Sequence, residues 1–240
     1  MLNYNQLKEK RKEFLAATGL YPEEFALLLP MFKEKYTTTC PKNMTKKGKL
    51  RQRRIGGGTK GKLQLDEDKL LFIMVYQKTY PLQTMHGLQF EMSQPQVNYW
   101  VHKLLPVLQQ TLEAMGLKPE RDSKKVDNSP MMVETAADLL IDGTERRRQR
   151  PKDVKQQEEH YSGKKKTHTD KNLVLVNNLT KKVLYLSPTV GGRTHDKKMV
   201  DENPINYPAG ATLGKDSGFQ GYNPPGVMTF QPKKNRRGRS

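Results

Sequence analysis

Two aspartates in the second half of the chain each follow a short apolar run. Asp142 comes after Leu139–Ile141 in the stretch DLLIDGT, and Asp216 comes after Ala211–Lys215 in ATLGKDSG. If the two runs are neighbouring strands, their carboxylates share one edge of a sheet, where they repel each other unless a cation holds them. Mg²⁺ or Mn²⁺ held by carboxylates and phosphate oxygens is the usual arrangement in phosphoryl-transfer sites. The alternative is ordinary turn chemistry, in which Asp and Gly simply end a strand.

Basic residues are concentrated after Asp142, in a segment from Thr144 to Lys171 that we predict to be a loop. The side chains predicted to contact a DNA backbone there are Arg146, Arg147, Arg148, Arg150, Lys164, Lys165 and Lys166. Cations in these positions would neutralise phosphates next to a metal without competing for it. The alternative is a solvated loop that binds nothing.

The composition favours a polyanionic partner. The chain has 240 residues and a formal net charge of +18, and an excess of this kind points most often to nucleic acid, here double-stranded DNA. Cys40 is the single cysteine, which excludes an intramolecular disulfide and a cysteine-based zinc site. The longest apolar run, Leu70–Tyr76, is too short to cross a bilayer. We therefore predict no membrane partner and a cytoplasmic protein, associated with the nucleoid if its host is bacterial.

The stretch LQTMHGLQFEMSQPQVNYWVHKLLPVL has the spacing of a helix-turn-helix. Gly87 is small where two helices must cross, and Ser93 can cap the second helix with Pro95 in its first turn. The residues predicted to reach DNA from that helix are Gln94, Gln96, Asn98, Tyr99 and Lys103, because amide side chains suit adenine edges in the major groove. Glu91 fits poorly at the turn, which favours Gly or Asn. The alternative is an ordinary two-helix hairpin with no DNA contact. Many such hairpins are dimerisation elements, which would make the chain a homo-oligomer.

The pattern of apolar residues predicts an α+β protein, with a helical first half and a strand-rich second half. The predicted boundaries are 1–40 for N-terminal helices, 41–65 for a basic flexible linker, 66–120 for the helix-turn-helix region, 121–130 for a second linker, 131–230 for the strand-rich domain and 231–240 for a basic tail. Strands are predicted at Met132–Ile141, Leu173–Val176, Val183–Leu186 and Ala211–Lys215.

Several longer motifs, in this order, resemble those of bacterial insertion-sequence transposases of the DDE superfamily, in a group close to the IS-five family. They are TGLYPEEFALLLPMF, EDKLLFIMVYQKTYP, SQPQVNYWVHKLLP, DGTERRRQRPKD, YSGKKKTHTDKNLVLVNN, LYLSPTVGGRTHDKKMVDE, DSGFQGY and QPKK. The resemblance implies an RNase H-like catalytic domain behind a helix-turn-helix. It also implies cleavage of DNA at element ends and transfer of the 3′-hydroxyl to target DNA.

In the family that the chain resembles, two aspartates and a glutamate hold two divalent metal ions. Asp142 in DGT takes the first place and Asp216 in DSGF the second, as both catalytic and metal-binding residues. His195 and Asp196 lie in THDKK, which recurs in the group, and we expect a structural role for them. No Asp or Glu follows Asp216, so the expected glutamate is absent and the RNase H-like domain is expected to be incomplete.

Two hypotheses follow from the absent glutamate. The first is a truncated or split transposase that is inactive alone. The alternative is a non-catalytic DNA-binding remnant that occupies element ends and represses transposition. Asp201 and Glu202 could substitute for the glutamate by residue type, but nothing in their sequence context supports that role.

Overall fold

The computed structural model describes residues 1–41, 49–50, 52, 61–129 and 138–232. Within these ranges the chain divides into two compact units, Met1–Leu117 and Lys118–Ser240. Most of the predicted linker 41–65, the first part of the predicted strand Met132–Ile141 and most of the tail 231–240 lie outside the described residues. None of the helices in the described ranges has the length and apolar character needed to cross a bilayer.

The first unit is entirely helical. Its helices are α1 (Tyr4–Leu7), α2 (Arg11–Thr18), α3 (Pro22–Thr39), α4 (Asp66–Thr79), α5 (Gln83–Phe90) and α6 (Gln94–Ala114). Helix α3 begins at a proline followed by two glutamates, and α4 begins with three acidic residues, where acids favour a helix N-terminus. These starts agree with the sequence prediction.

One core joins the N-terminal helices to the helix-turn-helix region. Phe14, Phe25 and Phe32 from α2 and α3 pack in the same cluster as Phe72 and Phe90 from α4 and α5, and all five are fully buried. Residues 1–40 and 66–117 therefore form a single unit, although 1–40 and 66–120 were predicted as separate segments, and residues 118–120 belong to the second unit. The helix-turn-helix depends on the N-terminal helices to bury the apolar residues of α4.

The turn between α5 and α6 has the predicted glycine and an unexpected glutamate. A Cβ at Gly87 would lie 2.4 Å from the Met92 carbonyl oxygen, so only glycine lets the helices approach this closely. Glu91 adopts the left-handed conformation, with φ of 52°. The N-terminal amino group and Lys62, at 2.6 and 2.9 Å from its carboxylate, lower the pKa of Glu91 to about 2. These ion pairs hold a residue that the turn geometry alone disfavours.

The second unit is a mixed sheet with two short helices. Its elements are β1 (Asp138–Arg147), α7 (Val154–His160), β2 (Tyr161–Ser162), β3 (Thr167–Asn177), β4 (Val183–Leu186), β5 (Val190–Gly191), α8 (Asp196–Glu202), β6 (Thr212–Lys215) and β7 (Met228–Phe230). The central strand β1 pairs with β3 antiparallel and with β6 parallel, and β7 extends the parallel side. Strands β2, β4 and β5 pair in turn with the far edge of β3. This mixed order agrees with the predicted α+β class and RNase H-like domain.

The predicted loop from Thr144 to Lys171 is wrong. Strand β1 continues to Arg147, and the segment also contains α7, β2 and the first residues of β3. The physical reason is the length of β3, which pairs with β1 from Leu139↔Asn177 to Arg147↔Thr169 and satisfies its backbone hydrogen bonds. The predicted β3–β4 hairpin is present, with β3 longer than expected.

The two faces of the sheet differ. Leu139 and Ile141 point to one face, where they pack with Leu213 and with Met199 and Val200 of α8. The alternate residues of β1 point to the other face, where the Leu140 side chain is 42% exposed. We refer to these as the covered face and the open face. Because strand side chains alternate, Asp142 lies on the open face.

His86 of α5 lies at the centre of the helical core. The residue is fully buried, its ring centroid lies 4.4 Å from that of Phe72 and 4.9 Å from that of Phe90, and Nε2 is 3.2 Å from the Phe72 carbonyl oxygen. Burial lowers the pKa of His86 below its ordinary value of 6.5. The unfolded chain therefore binds a proton more readily than the folded helical unit as the pH falls below that value.

We predict that the helical unit loses stability as the pH falls from 7.5 to 5.5, by at most about 1.4 kcal/mol per pH unit from this residue. Trp100, the single tryptophan, lies in α6 and reports unfolding of this unit by fluorescence in urea. His86→Leu should make the stability of the helical unit less dependent on pH. His102→Leu, on the exposed side of α6, should leave the pH dependence unchanged. An equal pH dependence in wild type and His86→Leu would contradict the prediction.

Candidate functional site

The two aspartates lie side by side. Strands β1 and β6 run parallel with Leu140 opposite Gly214 and Ile141 opposite Lys215, so Asp142 and Asp216 come next in the same register. Neighbouring strands are about 4.8 Å apart, and residues opposite each other share a face. A Cβ at Gly214 would lie 2.6 Å from Leu140 Cδ2, which shows that this pair faces the same way. By this alternation we expect both carboxylates on the open face, with Asp142 within β1 and Asp216 directly after the adjacent strand β6.

Asp142 is not at the end of its strand, contrary to the prediction. It lies in the middle of β1, and β6 is the strand that ends here, at Lys215. Asp142 is exposed because it lies on the open face, where Leu140 and Thr144 of the same strand are exposed too. The strand that ends next to Asp142 is therefore β6, and not β1 as the sequence predicted.

A glycine amide orients each aspartate. The Oδ1 of Asp142 accepts a hydrogen bond from Gly143 N at 2.7 Å, and the Oδ1 of Asp216 accepts one from Gly218 N at the same distance. Lys215 points to the covered face, where its Nζ donates to Tyr222 O and to Asn223 Oδ1, and burial lowers its pKa. This lysine does not neutralise the aspartates.

The donor chemistry fits a divalent cation of the Mg²⁺ type, which prefers carboxylate oxygens and keeps several waters. Within the part of the chain that the structure describes, no group of three or more His, Cys, Asp or Glu side chains is arranged to hold a metal ion. Asp142 and Asp216 would therefore supply two protein ligands. Asp201 and Glu202 form ion pairs with Lys197 and Lys198 one helical turn before them on α8.

The arginines after Asp142 do not form the predicted loop track. Arg146 and Arg147 belong to β1 and point to opposite faces, with Arg146 on the open face beside Asn172, to which it donates at 2.8 Å. Arg148 pairs with Asp170 at 2.9 Å, and Arg150 donates to Gln157 at 2.8 Å. Of the two arginines within β1, Arg146 is the one that shares a face with Asp142.

The three lysines cluster elsewhere. Lys164, Lys165 and Lys166 occupy the exposed turn between β2 and β3. Next to this turn is a cleft of about 620 Å³, lined by Arg150, Gln157, Glu158, Tyr161, Gly163, His168 and Arg193. Its cations and aromatic ring are of the kinds that bind a phosphate backbone.

The candidate recognition helix α6 exposes most of the predicted residues. Gln94, Gln96 and Tyr99 are exposed and Asn98 is half-buried. The side-chain amides of Gln94 and Gln96 already form hydrogen bonds within the helix-turn-helix. Gln94 Nε2 donates to Gln83 Oε1 at 2.5 Å, and Gln96 Oε1 accepts from Ser93 N at 3.0 Å. The predicted cap at Ser93 is thus a reciprocal one that includes Gln96.

Lys103 is placed differently from the prediction. It is half-buried, and its Nζ lies 5.3 Å from the ring centroid of Tyr36, 5.7 Å from that of Tyr99 and 5.0 Å from that of Trp100. The aromatic rings hold the ammonium group by cation–π attraction. Lys103 therefore helps to fix Tyr99 on the helix surface.

The sequence prediction missed a buried charge cluster on the covered face, directly behind the two aspartates. Lys171 Nζ lies 3.1 Å from Asp196 Oδ1 and 3.4 Å from Glu145 Oε1. Burial raises the pKa of Glu145, but hydrogen bonds from Ser162 and Thr169 and the charge of Lys171 outweigh burial and lower it overall. The THDKK motif was the one signal in the sequence that pointed here.

The sequence matches two protein-family models, and the matched segments correspond to the two units of the structure. A model described as "DDE superfamily endonuclease" matches residues 141–239, and one described as "Helix-turn-helix of DDE superfamily endonuclease" matches residues 62–114. No curated protein and no solved structure matches the chain. The two matched segments contain α4 to α6 and the paired aspartates, and together they cover more than half of the sequence. The chain belongs to the DDE superfamily of endonucleases and has the domain composition of a DDE-type transposase.

Proposed function

We propose that this chain is the transposase of a bacterial insertion sequence of the IS-five-like group, acting on DNA in the cytoplasm. The observation that supports the proposal is the parallel register of β1 and β6, in which Ile141 lies opposite Lys215, so that Asp142 and Asp216 are the next residues along the two strands. The helical unit recognises element ends through α6, and the sheet unit binds the scissile phosphate. The match to a superfamily of metal-dependent endonucleases supports this division.

In this proposal Asp142 and Asp216 hold Mg²⁺ or Mn²⁺. The cation would polarise the scissile phosphate and lower the pKa of an attacking water. The amides of Gly143 and Gly218 fix the carboxylate oxygens before the metal arrives. Arg146, on the same face, would neutralise a neighbouring phosphate, and its hydrogen bond to Asn172 keeps it from closing onto Asp142.

The candidate metal site has two carboxylates, and Mg²⁺ requires near-octahedral order. We propose that these 240 residues bind element ends and cut them slowly, and that efficient cleavage requires a third acidic ligand on the open face. The second candidate function is a DNA-binding protein that occupies element ends and represses transposition. It is favoured by the absence of a three-ligand group among the described residues, alongside a helical unit, including the helix-turn-helix, that has its own core.

The first prediction from this proposal concerns the metal. Wild-type protein should bind Mn²⁺, measured from the loss of the free-ion signal in electron paramagnetic resonance. Asp142→Asn and Asp216→Asn should each weaken binding about ten-fold or more, since each removes one of two anionic ligands. Their affinity for duplex DNA should be unchanged or slightly higher, because a negative charge near the phosphates is gone.

Asp201→Asn is the matched control, since Asp201 is an exposed carboxylate of the same unit that pairs with Lys197. It should bind Mn²⁺ like wild type. Wild-type Mn²⁺ affinity in Asp142→Asn would show that Asp142 is an ordinary strand residue.

The second prediction concerns the recognition helix. Binding to a duplex selected from a random library should weaken steeply with salt, because basic side chains release counterions from DNA. Gln96→Glu keeps an acceptor for the Ser93 amide but places a negative charge at the DNA surface. It should lose about ten-fold or more in affinity for the selected site, with the helical unit as stable as in wild type.

Ser93→Ala provides the matched control, because it weakens the cap and leaves Gln96 exposed. It should cost about 0.5–2 kcal/mol of stability and little DNA discrimination. Salt-independent binding, or a Gln96→Glu variant that selects the same site with wild-type affinity, would exclude α6 as the recognition helix.

A further inference from the structure

Asp196, the first residue of α8, lies against the backbone of β1 just after Asp142 and against the turn just after Asp216. A Cβ at Gly143 would lie 2.3 Å from Asp196 Oδ1, and a Cβ at Gly218 would lie 2.7 Å from Asp196 Oδ2. One carboxylate thus touches the residue after Asp142 with one oxygen and the turn after Asp216 with the other. Neither glycine has a positive φ, so each is required for space and not for an unusual backbone conformation.

The position of Asp196 is fixed from behind by Lys171. The Lys171 side chain is buried, and besides Asp196 and Glu145 it contacts the Thr194 carbonyl oxygen at 2.9 Å. Glu145 and Lys171 are also directly opposite each other on β1 and β3. A buried ammonium group held by three oxygens has little freedom to move, and an unpaired charge in this place would be costly.

The same two glycines hold the candidate metal ligands. Gly143 N donates to Asp142 and Gly218 N donates to Asp216, while Asp196 lies where the side chain of each glycine would be. Asp196 therefore packs directly against the two residues whose amides orient the candidate metal ligands. At Gly218 the position of a Cβ is also 2.9 Å from Asp216 Oδ1, so the carboxylates of Asp196 and Asp216 lie close together.

We propose that Asp196 is a positioning residue for the metal site: clamped by Lys171, its carboxylate fixes Gly143 and Gly218 and so sets the spacing and orientation of Asp142 and Asp216. This inference rests on the proposed function of those two aspartates. In this proposal Asp196, Lys171 and the two glycines act together to orient the two candidate metal ligands. It also replaces the purely structural role that the sequence suggested for Asp196.

The test compares Mn²⁺ binding by the full chain and four variants. Asp196→Asn keeps the shape of the side chain and removes its charge. Gly143→Ala keeps every carboxylate and pushes Asp196 away, whereas Gly218→Ala keeps every carboxylate and pushes both Asp196 and Asp216. We expect each of the three to raise the Kd for Mn²⁺ about ten-fold or more, as for other residues that orient metal ligands. The spectrum of the remaining bound Mn²⁺ should broaden, because the ligand geometry is less uniform.

Gly163→Ala is the matched control for the glycines. It lies in the β2–β3 turn, where an added Cβ meets nothing within 4 Å, and it should bind Mn²⁺ like wild type. Amide hydrogen exchange of β1 and β3 reports whether the sheet is intact in each variant. If the alanine variants lose protection there, Asp196→Asn, which adds no atom, carries the test alone.

The outcomes separate the two proposals. Mn²⁺ binding that does not depend on Asp142 and Asp216 would overturn the proposed function. Binding that depends on both aspartates but is unchanged in affinity and spectrum by Asp196→Asn would overturn the positioning role and leave the proposed function in place.

Discussion

The parallel pairing of β1 with β6 is the constraint on which the rest of the site depends. Leu139 and Ile141 on β1 and Leu213 on β6 must all face the core, and this fixes which residues lie opposite each other. Because strand side chains alternate, a slip of one residue would turn Asp216 to the covered face and bury its charge. The apolar residues of the two strands therefore set the position of the carboxylates.

The covered face contributes electrostatics as well as packing. Two carboxylates on the open face repel each other, and a third, Asp196, lies close behind them. Lys171 compensates from a position that cannot reach a bound phosphate, because it is buried and paired with Asp196 and Glu145. The cations that would meet DNA in the proposed function lie elsewhere, at Arg146 on the open face and in the lysine turn between β2 and β3. This arrangement leaves the aspartates available to a cation.

Much of the architecture could be predicted from local patterns. Acidic residues at the start of α4, the cap at Ser93 and the close approach at Gly87 each depend on residues a few positions apart, and all are present. The pairing of the two aspartates could also be predicted, because each follows an apolar run that reads as a buried strand. The assignment of Asp142 to the first catalytic position and Asp216 to the second came from the resemblance to the family.

What could not be predicted depends on partners distant in the sequence. Strand β1 continues past Asp142 because β3 pairs with it, and Glu91 is held in a left-handed turn by Lys62 and the N-terminus. Lys103 turns inward toward Tyr36, which lies on another helix. Asp196 is adjacent to Gly143 only in the folded sheet. No local pattern contains these contacts.

We propose that Asp142 and Asp216 together form a metal site on the open face of the sheet. Anomalous scattering from a crystal of the chain grown or soaked with Mn²⁺ tests this site most directly. We expect an anomalous peak at about 2.1 Å from a carboxylate oxygen of each aspartate, with waters in the remaining positions. A peak on other residues with both aspartates free, or no peak at saturating Mn²⁺, would contradict it.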